Sequence, residues 1–103
     1  MKKDMEPQRS QLLRLLEAHE PTAGMYVRIW GEHLILGREL ALEEEGNTER
    51  DDRLRLSRIR SRAWGLSVKR HNGRWERTPF SGDLEEMVNA ILSFMQHLCA
   101  PGC

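Results

Sequence analysis

The chain has 103 residues, of which 39% are hydrophobic and 31% charged, so its composition is that of one globular domain rather than of a disordered polymer. Its apolar runs are far shorter than the about 20 residues of a membrane span, and no apolar segment follows the basic N-terminus as it would in a signal peptide. These features predict a cytoplasmic protein with no membrane partner.

The first predicted element is a helix over residues 7–19. Pro7 suits the first helical turn, where its missing N–H is not needed, and leucines recur after it at helical spacing. The helix is expected to end before Pro21, because the residue preceding a proline leaves the α region, and Gly24 then favours a turn.

Two runs of alternating apolar residues, 25–30 and 33–42, flank Gly31-Glu32 and predict a β-hairpin. Glycine in the first position of a two-residue loop fits a type II′ turn. Pairing outward from this turn makes opposite partners of Ile29 and Leu34, Val27 and Leu36, Trp30 and His33, and Arg28 and Ile35. The first two pairs share one face of the hairpin and the last two share the other, so the register is self-consistent.

Residues 53–62 have two interpretations. As a strand, Leu54 and Leu56 point inward, and a bulge near Ser57 brings Ile59 inward as well. A helix is the alternative, because apolar residues recur there at near-helical spacing: Leu56, Ile59, Ala63 and Leu66. We favour the strand, because a hairpin follows at once and antiparallel neighbours are usually consecutive in the chain.

Asn72-Gly73 between two alternating runs is the strongest short-range signal of a hairpin. Pairing outward from a two-residue loop makes opposite partners of Arg70 and Trp75, Lys69 and Glu76, and Val68 and Arg77. Trp64 and Trp75 then share a face with apolar neighbours, so both are predicted to be core anchors. Lys69 and Glu76 are predicted to form a cross-strand ion pair, and Arg70 to lie over Trp75.

The last predicted element is a helix that begins after Asp83, which forms a capping box with Glu86. Apolar residues follow with helical periodicity: Leu84, Met87, Val88, Ile91, Met95 and Leu98. Leu92 and Phe94 widen this apolar surface beyond what one sheet face covers. Because leftover apolar surface marks an interface, the helix predicts a homodimer contact, and the alternative is that the N-terminal helix covers this surface.

The predicted order of elements is therefore α-β-β-β-β-β-α over a single domain, residues 1–103. This is an α+β fold with an antiparallel meander sheet and both helices on one sheet face, which leaves the other face open. Residues 1–6 and 99–103 are expected to be disordered tails, and residues 43–52 a mobile acidic loop.

Catalytic and metal-binding motifs are weak. His71, Arg74 and Glu76 lie near one hairpin tip and resemble the acid–base set of a small ribonuclease, but such residues are common in ordinary sheets. Cys99 and Cys103 with His97 lack the fourth ligand of a zinc site. We therefore predict a protein that is not an enzyme and needs no metal or cofactor.

The zero net charge conceals a strongly basic segment, residues 50–77, with ten Lys or Arg against three acidic residues. Both flanking segments are acidic, and arginine binds phosphate through bidentate hydrogen bonds. The segment predicts an arginine-rich sheet face that binds an anionic partner, nucleic acid above all. The predicted site residues are Arg53, Arg55, Arg58, Arg60, Arg62, Lys69, Arg74 and Trp30. Further aromatic side chains offered as base platforms are Tyr26, His71 and Phe80.

Two alternatives remain beside nucleic-acid binding. In the first alternative, the protein is a protein–protein interaction or homodimerisation module whose partner supplies an acidic surface. In the second, the arginines have no partner and only keep the sheet solvated and its edges protected. Residues 53–80, an arginine-rich strand before a hairpin with Asn72-Gly73-Arg74-Trp75, resemble segments of small bacterial proteins of unknown function. That resemblance implies no mechanism.

Overall fold

The computed structural model describes residues 5–41 and 48–100. Its helices and strands, in chain order, are α1 (Glu6–Glu17), β1 (Tyr26–Trp30), β2 (His33–Ala41), β3 (Thr48–Arg60), β4 (Ala63–Lys69), β5 (Trp75–Gly82) and α2 (Leu84–Phe94). The five strands form one open antiparallel sheet in the order β1-β2-β3-β4-β5. The predicted α+β fold and its meander are therefore confirmed. No helix in the described ranges is long and apolar enough to cross a membrane.

The first hairpin has the register that the sequence predicts. Ile29 lies opposite Leu34 and Val27 opposite Leu36. Gly31 has a φ of 61°, while Glu32 has no positive φ, as a type II′ turn requires. The alternation of apolar residues and the turn glycine agree, so the register has one solution.

Residues 53–60 belong to β3 and residues 61–62 to the turn that follows it, so the helical alternative is wrong. Leu54 and Leu56 are buried as predicted. Leu54 pairs with Leu36 but the next pair is Asp52 with Gly37, so Arg53 is the extra residue of a bulge. A second register shift leaves Ile59 unpaired and 47% exposed, and the predicted inward position of Ile59 is therefore wrong.

The register of the second hairpin differs from the prediction by one residue. The Arg70 N–H donates to the Arg74 carbonyl, and the Arg70 carbonyl accepts from the Gly73 N–H, so the loop has three residues that end at Gly73, whose φ is 85°. This is the geometry of a type I turn followed by a left-handed glycine. Lys69 consequently lies opposite Trp75 and Val68 opposite Glu76. A one-residue slip moves every side chain of a strand to the other face.

This slip corrects three predictions. Trp64 is buried in the core as expected, but Trp75 lies on the opposite face of the sheet. Glu76 pairs with Arg70 at 3.0 Å instead of with Lys69. The cation that lies closest over Trp75 is the Arg55 guanidinium, 5.0 Å from the ring centroid, and not Arg70.

Both helices cover the same face of the sheet. Leu12 and Leu16 of α1 and the apolar residues of α2 pack on the inward leucines of the strands and on Trp64. Asp83 and Glu86 form the predicted capping box, with a 2.8 Å bond from the Glu86 amide to the Asp83 carboxylate. The helix ends at Phe94, earlier than the apolar pattern indicates, and a 3-10 turn (Gln96–Leu98) follows.

The expected tails are partly ordered. Met5 and Cys99 are both buried in the core, with 2% and 0% of their surface exposed, because each packs on the covered face. Residues 1–4, 42–47 and 101–103 lie outside the described residues, and with them most of both predicted tails and half of the predicted acidic loop, residues 43–47. Residues 48–52 of that loop belong to β3.

Candidate functional site

The helices leave one sheet face uncovered, which we call the open face. By strand register it carries Tyr26, Arg28, Trp30, His33, Ile35, Gly37, Glu39, Arg50, Asp52, Arg55, Ser57, Gly65, Ser67, Lys69, Trp75 and Arg77. Five of these side chains are cationic and two are carboxylates, so the open face has a positive balance of three although the whole chain is neutral.

Long side chains lie flat over the centre of the open face. Ile35 is only 1% exposed although no helix covers it, and its cross-strand partners are Arg28 and Arg55. Arginine stems commonly cover apolar surface in this way while the charged ends stay in water. Ser67, in the same row, is also 1% exposed.

Two glycines create the space in which larger side chains lie. A Cβ atom at Gly65 would stand 2.7 Å from the Arg77 guanidinium, so Arg77 rests directly over Gly65. Tyr26 rests over Gly37 in the same manner, with its hydroxyl 2.5 Å from the position of a Cβ there. Cationic and aromatic side chains therefore pack closely against the backbone of the open face at these two glycines.

At one end of the open face the charges are balanced. Arg28 binds both oxygens of Asp52, at 3.1 Å from Nε to Oδ1 and 2.5 Å from Nη2 to Oδ2, and the Tyr26 hydroxyl donates to Oδ1. The hydrogen bonds from Arg28 lower the pKa of Asp52, and burial together with the Asp52 carboxylate raises the pKa of Tyr26. This network keeps Asp52 ionised and orders the β1–β3 end.

Of the other four cations of the open face, Arg50 lies over the Tyr26 ring and opposite Glu39, and the remaining three have no acidic residue opposite them in the register. Among the described residues, no carboxylate forms an ion pair with Arg55, Lys69 or Arg77. Arg55 lies over the Trp75 ring, and Lys69 stands 6.0 Å from the same ring centroid. The Arg55 Nε is buried and has no hydrogen-bond partner within the described part of the chain. The charged ends of Arg55, Lys69 and Arg77 can therefore bind an external anion without first breaking an ion pair.

Trp30 is the most exposed aromatic group of the open face, with 58% of its surface accessible. Its ring is tilted by 40° against His33, at 6.0 Å between centroids. His33 is held in turn by a 2.8 Å hydrogen bond between Nδ1 and the Ser57 hydroxyl. Burial, and then the nearby Arg55 charge, lower the pKa of His33, so the imidazole is neutral near pH 7.

The structure divides the predicted arginines instead of gathering them on one face. Arg53 and Arg58 turn to the covered side: Arg53 Nη1 donates to the Leu98 and Ala100 carbonyls, and Arg58 Nη1 lies 3.6 Å from the Met5 sulfur. Arg53 points to the covered side because it is the extra residue of the bulge. Arg58 points there because it is two residues after Leu56, which is itself on the covered side. The predicted single arginine face is therefore wrong.

The remaining predicted site residues fall into two groups. Arg55, Lys69 and Trp30 lie on the open face. The exposed side chains Arg60 and Arg62 lie at the β3–β4 turn, and Arg74 lies at the β4–β5 turn. Of the wider set of aromatic candidates, Tyr26 is on the open face, while Phe80 stacks on Phe94 of α2 at 5.3 Å between centroids.

Sequence reasoning missed Trp75 and Arg77 as members of this face. Both errors come from the length of the β4–β5 loop, because Asn72-Gly73 fits a two-residue or a three-residue loop equally well. One signal that favours the observed register is Gly65, because a glycine within a strand often marks a close approach by another group.

The weak catalytic and metal motifs gain no support from the geometry. Glu76 is paired with Arg70, while His71 and Arg74 are exposed in the turn. Within residues 5–41 and 48–100, no group of three or more His, Cys, Asp or Glu side chains is arranged to hold a metal ion. Burial raises the pKa of the Cys99 thiol, which is typical of an inert core cysteine.

The fold and the open face define a small α+β protein with one uncovered, basic and aromatic sheet surface. Comparisons of the chain with known proteins find no matching family model, no similar curated protein and no similar solved structure.

Proposed function

We propose that this protein binds nucleic acid through the open face. The observation that carries the proposal is the group of three cations, Arg55, Lys69 and Arg77, which lack a carboxylate partner among the described residues. Arg55 and Lys69 also lie over the half-buried ring of Trp75. Cations supply phosphate contacts and aromatic rings supply surfaces for bases, and nucleic-acid-binding sheets combine the two.

The arrangement of these cations favours binding over simple solvation. A solvated arginine extends freely into water, whereas Arg55 is stacked on Trp75 and Arg77 rests in the space over Gly65. A guanidinium that is already held in place loses less conformational entropy when it binds a phosphate. The hydrogen-bond donors of both groups are therefore preorganised.

The charge of the open face also selects the class of partner. Two copies of a face with a positive balance of three would repel each other, so the open faces of two molecules are poorly suited to pack together. An anionic polymer gains from the same field, and its binding should weaken steeply with salt because counterions are released.

Fluorescence anisotropy of labelled oligonucleotides, titrated with protein at several salt concentrations, tests the proposal. We expect the slope of log affinity against log salt to fall by about 0.7 for each phosphate contact removed from a single-stranded ligand. The variants are Arg55→Met, Lys69→Met and Arg77→Met, in which methionine keeps apolar cover over the sheet.

Arg14→Met is the matched control. Arg14 is exposed on α1, on the covered side of the sheet, so this change removes the same charge from a distant surface. If Arg14→Met and Arg55→Met weaken binding equally, net charge alone is responsible and the open face is not the site. Absence of binding to every oligonucleotide at low salt overturns the proposal altogether.

Homodimerisation through α2 is the second candidate, and one residue favours it. Phe94 is 65% exposed at the end of α2, although it stacks on Phe80. The other apolar residues predicted to form a contact are largely covered by the sheet, with Leu84, Met87, Val88 and Ile91 all buried. If dimers form, Phe94→Ser should shift the mass measured by light scattering toward that of one chain.

A further inference from the structure

The two ends of the open face carry different types of residue, and this difference indicates which kind of nucleic acid the face can bind. Trp30, the last residue of β1, is 58% exposed and on the open face. Trp75, the first residue of β5, carries Arg55 and Lys69 over its ring. One corner therefore presents a bare aromatic ring, and the other presents cations supported by a ring.

Trp30 is held as a platform rather than left loose. The His33 ring lies against it, and His33 is fixed by its hydrogen bond to Ser57 in the neighbouring strand. A base that stacks on Trp30 would meet a ring whose orientation is already restricted, which reduces the entropy lost on binding. Bases of every type have a face that can stack on such a ring.

The two corners are separated by a distance that suits a short strand. Trp30 and Trp75 belong to opposite edges of the five-stranded sheet, and their rows are four residues apart along the strands. Strand spacings of about 4.8 Å and rises of about 3.4 Å per residue place them roughly 23 Å apart. A few nucleotides cover that distance, which is near the lower end of the sites of about 4–16 nucleotides in single-stranded binding folds.

We infer that the open face binds a short single-stranded nucleic acid, with one base stacked on Trp30 and the phosphates of nucleotides farther along the strand held by Arg55 and Lys69. This inference rests on the function proposed above and narrows its ligand. A duplex would offer its phosphates to the cations, but its bases are stacked on each other and cannot reach the Trp30 ring.

The test compares three labelled ligands of about eight residues: a single-stranded oligonucleotide, an abasic deoxyribose-phosphate strand of the same length and charge, and the corresponding duplex. We expect the wild-type protein to bind the oligonucleotide about tenfold more tightly than the abasic strand. Trp30→Ala should abolish that difference and leave the affinity for the abasic strand unchanged. Arg55→Met should weaken the binding of both single-stranded ligands.

Trp30→Phe is the conservative variant, because phenylalanine retains a ring for stacking but not the indole fluorescence. It should keep most of the affinity and show less quenching of tryptophan emission on binding than the wild type, because only Trp75 then remains on the open face to be quenched. Trp64, which is 2% exposed, and Trp75 remain in each of these variants, and a red shift of their combined emission toward that of the unfolded chain reports a disrupted core.

The outcomes separate the two proposals. Equal affinity for the natural and the abasic strand, with no effect of Trp30→Ala, overturns the stacking inference and leaves the electrostatic binding by the open face in place. Tighter binding of the duplex than of the single strand also contradicts the inference. If none of the three ligands binds at low salt, both proposals fail together.

Discussion

The two faces of the sheet use arginine in opposite ways. On the covered face, Arg38 donates to the Cys99, Ala23 and Pro21 carbonyls, and Arg53 donates to carbonyls of the same C-terminal turn. On the open face, Arg55 lies over an aromatic ring and has no carbonyl or carboxylate partner in the described residues. The partner atoms, and not the number of arginines, decide which of them are available to a ligand.

This contrast matters because Arg53 and Arg55 are two residues apart in one strand. Alternation alone would put both on the same face, but Arg53 is the extra residue of the bulge and points to the opposite side. One extra residue in β3 therefore divides a continuous arginine-rich segment into a structural part and a part that is free to bind.

The largest expected effect distinguishes the two hairpin tryptophans. Trp64→Ala should lower the free energy of unfolding by about 3–5 kcal/mol, because Trp64 fills the core. Trp75→Ala should cost about 1 kcal/mol and mainly weaken oligonucleotide binding, because its ring lies on the open face and supports Arg55. Urea denaturation of both variants measures the difference. Equal losses of stability would mean that Trp75 is also in the core, as a two-residue loop would place it.

Arg38→Met tests the structural use of arginine on the covered face. Only 9% of Arg38 is exposed, so the change leaves buried carbonyls without donors and should cost about 2–4 kcal/mol in urea denaturation. The thiol of Cys99 should also react faster with a thiol reagent, because the C-terminal turn is no longer held; a Cys103→Ser background leaves Cys99 as the sole thiol of the chain. Unchanged thiol reactivity would contradict this role of Arg38.

Two glycine substitutions provide a comparison of intermediate size. A Cβ at Gly37 would overlap the backbone oxygen of Asp51, so Gly37→Ala should destabilise the fold by about 1–3 kcal/mol. A Cβ at Gly65 meets the movable end of Arg77 instead. Gly65→Ala should therefore change thermal stability little but weaken oligonucleotide binding. The reverse order of the two stabilities would refute the packing described for the open face.

The smallest expected effect concerns pH. The pKa of Asp52 is lowered in the folded state, above all by the hydrogen bonds from Arg28, so the unfolded chain binds the proton more readily. Stability from this pair is thus complete above the ordinary carboxyl pKa of 3.8 and is lost as the pH falls from there through the lower folded pKa. Asp52→Asn should flatten that part of the curve by about 1 kcal/mol or less. If the loss of stability at low pH is the same in Asp52→Asn as in the wild type, other carboxylates are responsible for that loss.

Several features follow from local sequence alone. The register of the first hairpin follows from Gly31 and the apolar alternation, since a slip would move leucines into water. The start of α2 follows from Asp83 and Glu86, because a capping box needs only residues three apart. The basic character of residues 50–77 is likewise visible from composition.

Other features were not predictable from local sequence. The loop at Asn72-Gly73 is compatible with two lengths, and the choice depends on how β5 packs on β4 along its whole length. The bulge at Arg53 allows Arg53 to donate hydrogen bonds to the carbonyls of Leu98 and Ala100, and these residues are remote in sequence. Long-range contacts of this kind leave no periodic signal in the chain.

The sequence by itself determined the α+β class, the register of the first hairpin, the capping box of α2 and the presence of a basic segment, because each depends on spacing over a few neighbouring residues. Only the tertiary structure decided which cations face the open side, that Trp75 supports Arg55, and that Arg53 holds the C-terminal turn. The direction of a strand side chain reverses with a single inserted residue. Composition can therefore indicate an anion-binding segment, while the register of the strands determines which side chains form the surface.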